Sequence, residues 1–149
     1  MERCLIEQIS NSPEETEAVG KSLAPALRRG SVIALRGGLG AGKTCLVKGI
    51  ALGLGINETV TSPTFTIINE YPEAAPEAGS LYHIDAYRLA GDDDFINTGA
   101  GECIGNGIAV IEWSERIPQS IPDGAIKIEI AITGPHSRLI TIEGPETER

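Results

Sequence analysis

Eight consecutive residues, Gly37-Gly38-Leu39-Gly40-Ala41-Gly42-Lys43-Thr44, fit the pattern G-x-x-x-x-G-K-[ST]. Each residue type answers a need of triphosphate chemistry. Glycines let the backbone wrap closely round an anion, with dihedrals that other residues avoid. Successive N–H groups can then point inward at phosphate oxygens. A helix that starts near Lys43 adds the positive end of its dipole. Lys43 supplies a point charge to the β- and γ-oxygens, and Thr44 supplies a hydroxyl to Mg²⁺. The stretch expected to touch ATP is Gly38, Leu39, Gly40, Ala41, Gly42, Lys43, Thr44 and Cys45. A chance match is the competing explanation in a chain with 18 glycines. The flanks argue against it, because an apolar run precedes the loop and a helical pattern follows.

Such a loop needs acids to hold Mg²⁺ and to position water. Asp85 ends the run Leu81-Tyr82-His83-Ile84-Asp85, and Glu112 ends Ile108-Ala109-Val110-Ile111-Glu112. Carboxylates at the carboxyl ends of buried strands face the crevice where ligands bind in open α/β sheets. The alternative for each is a solvated strand-end acid, and the residues alone leave that open. Thr61-Ser62-Pro63-Thr64 is a hydroxyl-rich segment that reads either as a switch loop meeting the γ-phosphate or as a plain turn. His83 reads as a partly buried histidine hydrogen-bonded near the site rather than a metal ligand or a base, since His136 is the only other histidine. Tyr87 and Arg88 suit either a contact with a partner or nucleotide, or a helix-start or core role. Glu102 reads as a solvated or interface acid.

The elements that must position these residues follow from pattern and punctuation. The opening LIEQI alternates and predicts an edge strand. Ser12-Pro13-Glu14-Glu15 predicts a helix start: Ser12 as N-cap, Pro13 at N1, and Glu15 reaching back to the cap's N–H. That helix is expected to run to about Arg28, burying Val19, Leu23, Ala26 and Leu27, with Gly30 as its stop. Residues 31–36 predict a buried parallel strand, and a helix follows from about Lys43 to Leu54. Further strands are expected at 64–71, 80–86 and 107–112, with a short helix and loops between Gly91 and Asn106. Two last strands, about 125–133 and 137–143, flank the turn signal Gly134-Pro135-His136. The expected fold is α/β: a P-loop NTPase-like mixed sheet, parallel at its core with antiparallel additions, flanked by helices.

Composition bounds the rest. At 149 residues, 41% hydrophobic and 22% charged, the chain reads as one globular domain spanning 1–149. No apolar run approaches the roughly 20 residues of a membrane span, and MERCLIEQIS has no signal-peptide core. Cys4, Cys45 and Cys103 are odd in number and far apart, as expected of reduced thiols packing as small apolar residues in the cytoplasm. The formal net charge is −9, with 12 Lys or Arg against 21 Asp or Glu. A protein that grips nucleic acid directly carries a basic face, so a role in RNA biology would run through a partner protein.

Taken together, these motifs resemble the TsaE family, the P-loop ATPases of bacterial threonylcarbamoyladenosine (t6A) biosynthesis on tRNA. Gly37 to Thr44 resembles the family's G-D-L-G-A-G-K-T. Val60 to Phe65, V-T-S-P-T-F, resembles its V-x-S-P-T-F/Y, and Asn69-Glu70-Tyr71 continues it. His83 to Leu89, H-I-D-A-Y-R-L, resembles H-x-D-x-Y-R-L, and Ile111-Glu112-Trp113 resembles I-E-W. The resemblance covers nearly the whole chain, in family order. It implies Thr44 and Glu112 as Mg²⁺ ligands and Asp85 as the Walker-B-like acid, so that turnover rests on Lys43, Asp85 and Glu112. It implies Ser62, Pro63 and Thr64 as the switch segment, Trp113 near the nucleotide, and adenine between Pro13 and Ser137. It also implies TsaB and TsaD as partners, with tRNA met only through them. One departure stands out: Gly38 occupies the position of the family's Asp, which bears on hydrolysis more than on affinity, because the cradle is backbone. The stretch Asp92 to Glu102 also diverges from the expected leucine-containing helix.

Two other classes compete with an ATPase. A small-molecule or nucleotide kinase of this fold would close an arginine-bearing lid over its acceptor. After the loop this chain has only Arg88, Arg116, Arg138 and Arg149, with no lid insertion. The other is a nucleotide-dependent switch without useful turnover.

Overall fold

The structure, a computed structural model, describes residues 3–38, 40–63, 66–72 and 78–145. Seven strands form one sheet: β1 (Arg3–Ser10), β2 (Val32–Gly37), β3 (Ile68–Tyr71), β4 (Ser80–Asp85), β5 (Gly107–Glu112), β6 (Ile126–Ile132) and β7 (Arg138–Pro145), in spatial order β1-β7-β6-β2-β5-β4-β3. β2 lies between β5 and β6 and runs parallel to both, and β4 runs parallel to β5. β3 adds antiparallel at one edge, and β7 then β1 add antiparallel at the other. This is the expected mixed sheet with a parallel core.

β2 can sit at the centre because its two faces are both apolar. Ile33 and Leu35 join the core under helices α1 (Pro13–Leu23) and α2 (Lys43–Gly53). Val32 joins the second core, which holds Ile84, Ala109 and Ile111 together with Phe95 of α3 (Asp92–Thr98). A strand buried on both faces cannot alternate, and the run VIAL does not. Burial of these side chains supplies the main driving force for the fold.

α1 starts as expected but pairs differently. Ser12 Oγ accepts from the Glu15 N–H at 3.1 Å, while the Glu15 carboxylate takes the Asn11 N–H at 2.8 Å, one residue earlier than the cap itself. The helix also stops sooner than expected. It ends at Leu23 and tightens into a 3₁₀ turn, Ala24–Ala26, because Pro25 has no N–H to continue the ladder. The buried stripe differs too. Thr16 and Gly20 are buried and Val19 and Leu23 only partly so, while Ala26 is exposed and Leu27 is buried. The cause is backbone contact between helices: a Cβ on Gly20 would lie 2.1 Å from the Leu46 carbonyl oxygen. α1 therefore lies on α2 through small residues, not through an aliphatic ridge.

β3 begins at Ile68, later than the expected 64, because Ile67 sits at φ 71° and turns the chain just before it. Thr64 and Phe65 lie outside the described residues. The last two strands and their turn fall where expected, and the region from Gly91 to Asn106 holds α3 and a 3₁₀ turn. All three cysteines are free thiols; Cys45 and Cys103 are half-buried, but Cys4 is exposed and does not pack as a core residue. Among the described residues no helix is long and apolar enough to cross a membrane.

Candidate functional site

β2 delivers the chain to the loop at Gly37, and α2 takes it away from Lys43. Gly40 (φ 77°) and Gly42 (φ 105°) hold left-handed dihedrals that side chains disfavour, and they turn the loop over the start of α2. Gly42 is the N-cap of α2 and brings no side chain to its first amides. Those amides are the orphan donors that an anion satisfies at a helix start. A Cβ on Gly38 or Gly40 would meet nothing within 4 Å, so space opens beside the backbone there. Leu39 lies outside the described residues.

Lys43 is 7% exposed. Its ammonium donates to the Gly37 carbonyl and sits 4.0 Å from the centre of the Trp113 ring. Burial pulls its pKa below the ordinary lysine value, and the nearby carboxylates of Glu112, Asp85 and Glu115 partly counter that pull. Asp85 and Glu112 stand opposite one another on parallel neighbours β4 and β5. They share the face of the sheet that carries α2. At 4% and 3% exposure neither is a solvated strand-end acid, which was the alternative open from sequence. Asp85 Oδ1 accepts the Tyr87 N–H at 2.9 Å.

His83, one pleat before Asp85 on the same face, is fully buried rather than partly buried as expected. Its Nε2 is hydrogen-bonded to Glu112 Oε2. Its Nδ1 is the one buried side-chain polar atom without a partner among the described residues. The histidine therefore fixes the Glu112 carboxylate from beneath.

Lys43, Asp85 and Glu112 line a cleft of about 340 Å³, within the range of small-ligand sites. It brings Gly40 to Cys45 together with Ser62, Asp85, Tyr87, Glu112 and Trp113. Of the hydroxyl-rich segment, exposed Ser62 reaches this cleft, Pro63 is buried, and Thr64 is outside the described residues. The segment is tied to the acids: Ile67 N–H donates to the Pro63 carbonyl, and Asp85 N–H donates to the Ile67 carbonyl at 2.8 Å. A second cavity of about 200 Å³ lies beside the loop, between Ser12, Pro13 and Thr16 and the β6–β7 turn at Pro135, His136 and Arg138. Cys45 borders both. Ser137 lies in that turn, its hydroxyl 2.8 Å from Thr133 Oγ1.

No group of three or more His, Cys, Asp or Glu that could hold a metal exists among the described residues. The donor set suits a cation that keeps its waters and shares phosphate oxygens, as Mg²⁺ does, rather than one caged by protein. The glycine cradle, the lysine, a hydroxyl at Thr44 and two buried carboxylates fit a metal-bound triphosphate.

The resemblance implies Trp113 near the nucleotide, but the turn that brings its ring over Lys43, and the reach of Arg138, escaped the sequence. Trp113 adopts a left-handed φ of 58° and thereby swings back over Lys43; Tyr87 packs on it at 4.9 Å, and Arg116 sits 5.2 Å from the Tyr87 ring. Arg138 reaches the loop from the far hairpin. Neither has a local signature, because each depends on a turn or a register set elsewhere. Arg88 and Glu102 are exposed.

The open space at Gly38 has a testable consequence. Gly38→Asp, which restores the acid of the resembling motif, is expected to fold normally, with stability within about 0.5 kcal/mol of the parent. A melting-temperature loss beyond that range would show that the loop cannot hold a side chain there.

Comparisons place the chain among known proteins. The family model described as "Threonylcarbamoyl adenosine biosynthesis protein TsaE" matches residues 10–140. A Treponema pallidum (strain Nichols) protein named tRNA threonylcarbamoyladenosine biosynthesis protein TsaE is 44% identical over 135 residues, covering 90% of this chain and 97% of its own. The Bacillus subtilis (strain 168) protein of the same name is 42% identical over 131 residues, covering 87% and 80%. The crystal structure of Bacillus subtilis YdiB aligns with a TM-score of 0.76 at 35% identity, over 97% of this chain and 88% of that one.

Proposed function

The chain belongs to the TsaE family of threonylcarbamoyladenosine biosynthesis, and from that premise we propose that it is a Mg²⁺-dependent ATPase supporting a TsaB–TsaD pair in modifying tRNA. One observation carries the ATPase reading. A buried lysine at the mouth of a glycine loop faces two buried carboxylates across a single cleft.

In this reading the amides of Gly38 to Cys45 hold the phosphates, and Lys43 adds charge to the β- and γ-oxygens. Thr44 and Glu112 take the metal, with Glu112 oriented by His83. Asp85, pinned by the Tyr87 N–H, orients water for turnover. Ser62 at the cleft wall reports phosphate state through the segment tied to Asp85. Held by Thr44 and Glu112, Mg²⁺ would supply positive charge that offsets the negative charge developing on the terminal phosphate. Adenine would take the second cavity, beside Pro13 and the turn containing Ser137. The net charge of −9 supports an indirect role towards tRNA, held by the partners rather than by this chain. The setting would be the cytoplasm, where tRNA is modified.

The test mixes the protein with TsaB, TsaD, tRNA, threonylcarbamoyl-adenylate and ATP, and reads both phosphate release and modified adenosine. Partner-stimulated release together with t6A is expected. Asp85→Ala should keep Mg²⁺·ATP affinity within about threefold while phosphate release falls by about 100-fold or more, the usual scale for losing a positioned acid or base. Phosphate appearing on an acceptor instead of in solution would favour a kinase. t6A formation that survives without phosphate release would reduce ATP to a binding switch.

A further inference from the structure

One cation outside the cleft grips the phosphate loop from behind. Arg138 opens β7, opposite Ser10 on β1 and Ile132 on β6. Its guanidinium donates to four backbone carbonyls. Nε reaches Ala41 O at 3.0 Å and Nη2 reaches Gly40 O at 3.1 Å; Nη1 reaches Gly134 O at 3.2 Å and Ser137 O at 2.9 Å. The first two acceptors belong to the phosphate loop and the last two to the β6–β7 turn, nearly a hundred residues apart in sequence.

The geometry has a direct effect on the loop. In a planar trans peptide the N–H points opposite to the C=O. Holding the Ala41 carbonyl therefore directs the Gly42 N–H away from Arg138. Holding the Gly40 carbonyl sets the Ala41 N–H, which donates to Gly38 O at 3.1 Å and closes the turn. Two carbonyl dipoles that would repel an anion are thereby engaged elsewhere. The same guanidinium fixes the turn whose Pro135 and His136 form the wall of the second cavity.

We propose that Arg138 is a positioning residue that latches the β6–β7 turn to the phosphate loop and holds the loop ready for an anion before any ligand arrives. Its effect on ATP rests on the nucleotide reading above, but its effect on loop order does not. Only a planar fork with several fixed donors can span these acceptors; a lysine ammonium on a flexible stem cannot.

The experiment compares the full-length protein with Arg138→Lys and Arg138→Ala. It measures amide exchange at Ala41, the loop N–H that donates to Gly38 O, without nucleotide, and Mg²⁺·ATP affinity by calorimetry. Both variants should exchange about tenfold or more faster in the loop, with β2 and the interior of α2 unchanged, and should bind ATP about tenfold more weakly. Tens of millimolar guanidinium, against a matched sodium chloride control, should restore part of the affinity of Arg138→Ala and leave the parent unchanged. A merely structural role would not produce that rescue. Parent-like loop exchange in both variants, full protection in Arg138→Lys, or no guanidinium rescue would each overturn the latch. Should Arg138→Ala not fold, Arg138→Lys decides by loop exchange. If the parent itself binds no Mg²⁺·ATP, the nucleotide reading falls while loop exchange still judges the latch.

Discussion

Lys43→Ala is expected to weaken Mg²⁺·ATP binding by about a thousandfold or more. Hydrogen bonds to charged groups contribute about 1.5–3 kcal/mol each, and two of them to phosphate oxygens amount to about 4 kcal/mol, or three decades in Kd. Among the described residues Lys43 is the one Lys or Arg lining the cleft. Asp85 and Glu112 are both buried against the lysine, so its removal leaves the cleft facing a triphosphate with acids alone. The loop amides remain, but backbone donors then work against uncompensated negative charge. The same loss removes a cation coupled to two buried carboxylates, which costs folding stability as well. The two effects separate by measuring affinity calorimetrically well below the variant's own melting temperature. Parent-like affinity in Lys43→Ala would contradict the placement of the triphosphate at this loop, whatever the activity of the protein.

How far the sequence reveals this site depends on the range of the interactions involved. The loop, the strand before it and the helix after it are local, and residues 31–54 declare all three through apolar runs and glycine stops. Asp85 and Glu112 were legible as strand ends but not as a buried pair. Their pairing depends on β4 and β5 lying side by side in parallel register, a long-range fact. The His83–Glu112 bond is invisible for the same reason: the two residues are 29 apart in sequence and meet only across that register. α1 is shorter than its sequence pattern predicts because Pro25 stops the helix before Gly30 can. Its buried face departs from the apolar stripe because the helix meets α2 through glycine, not through large apolar side chains. Arg138 carries no signal at all, because a guanidinium that serves backbone carbonyls leaves no sequence pattern.

That glycine contact leads to the largest stability effect. Gly49 lies on the face of α2 that meets α1, and a Cβ there would stand 1.9 Å from Glu17 O, 2.8 Å from Glu17 C and 2.9 Å from Lys21 N. All three are backbone atoms of a helix, so no side chain can rotate aside. Gly49→Ala must instead push α1 off α2 by more than an ångström. Overpacking usually costs 1–3 kcal/mol, and a backbone collision belongs at or beyond the upper end, about 3 kcal/mol or more. For a chain of this size that lowers the melting temperature by about 6–12 °C. Alanine's better helix propensity, worth about 1 kcal/mol, offsets only part of this. The displacement would also reach the site, since α2 carries Lys43 and Thr44 at its first turn and α1 carries Pro13 beside the second cavity. Loss of stability should therefore come with weaker nucleotide binding in the fraction that remains folded. Gly38→Asp changes a loop glycine with open space and provides the contrast, since it should leave the melt unmoved. If Gly49→Ala melts like the parent, the close approach of the two helices, and with it the position of the loop they carry, is wrong.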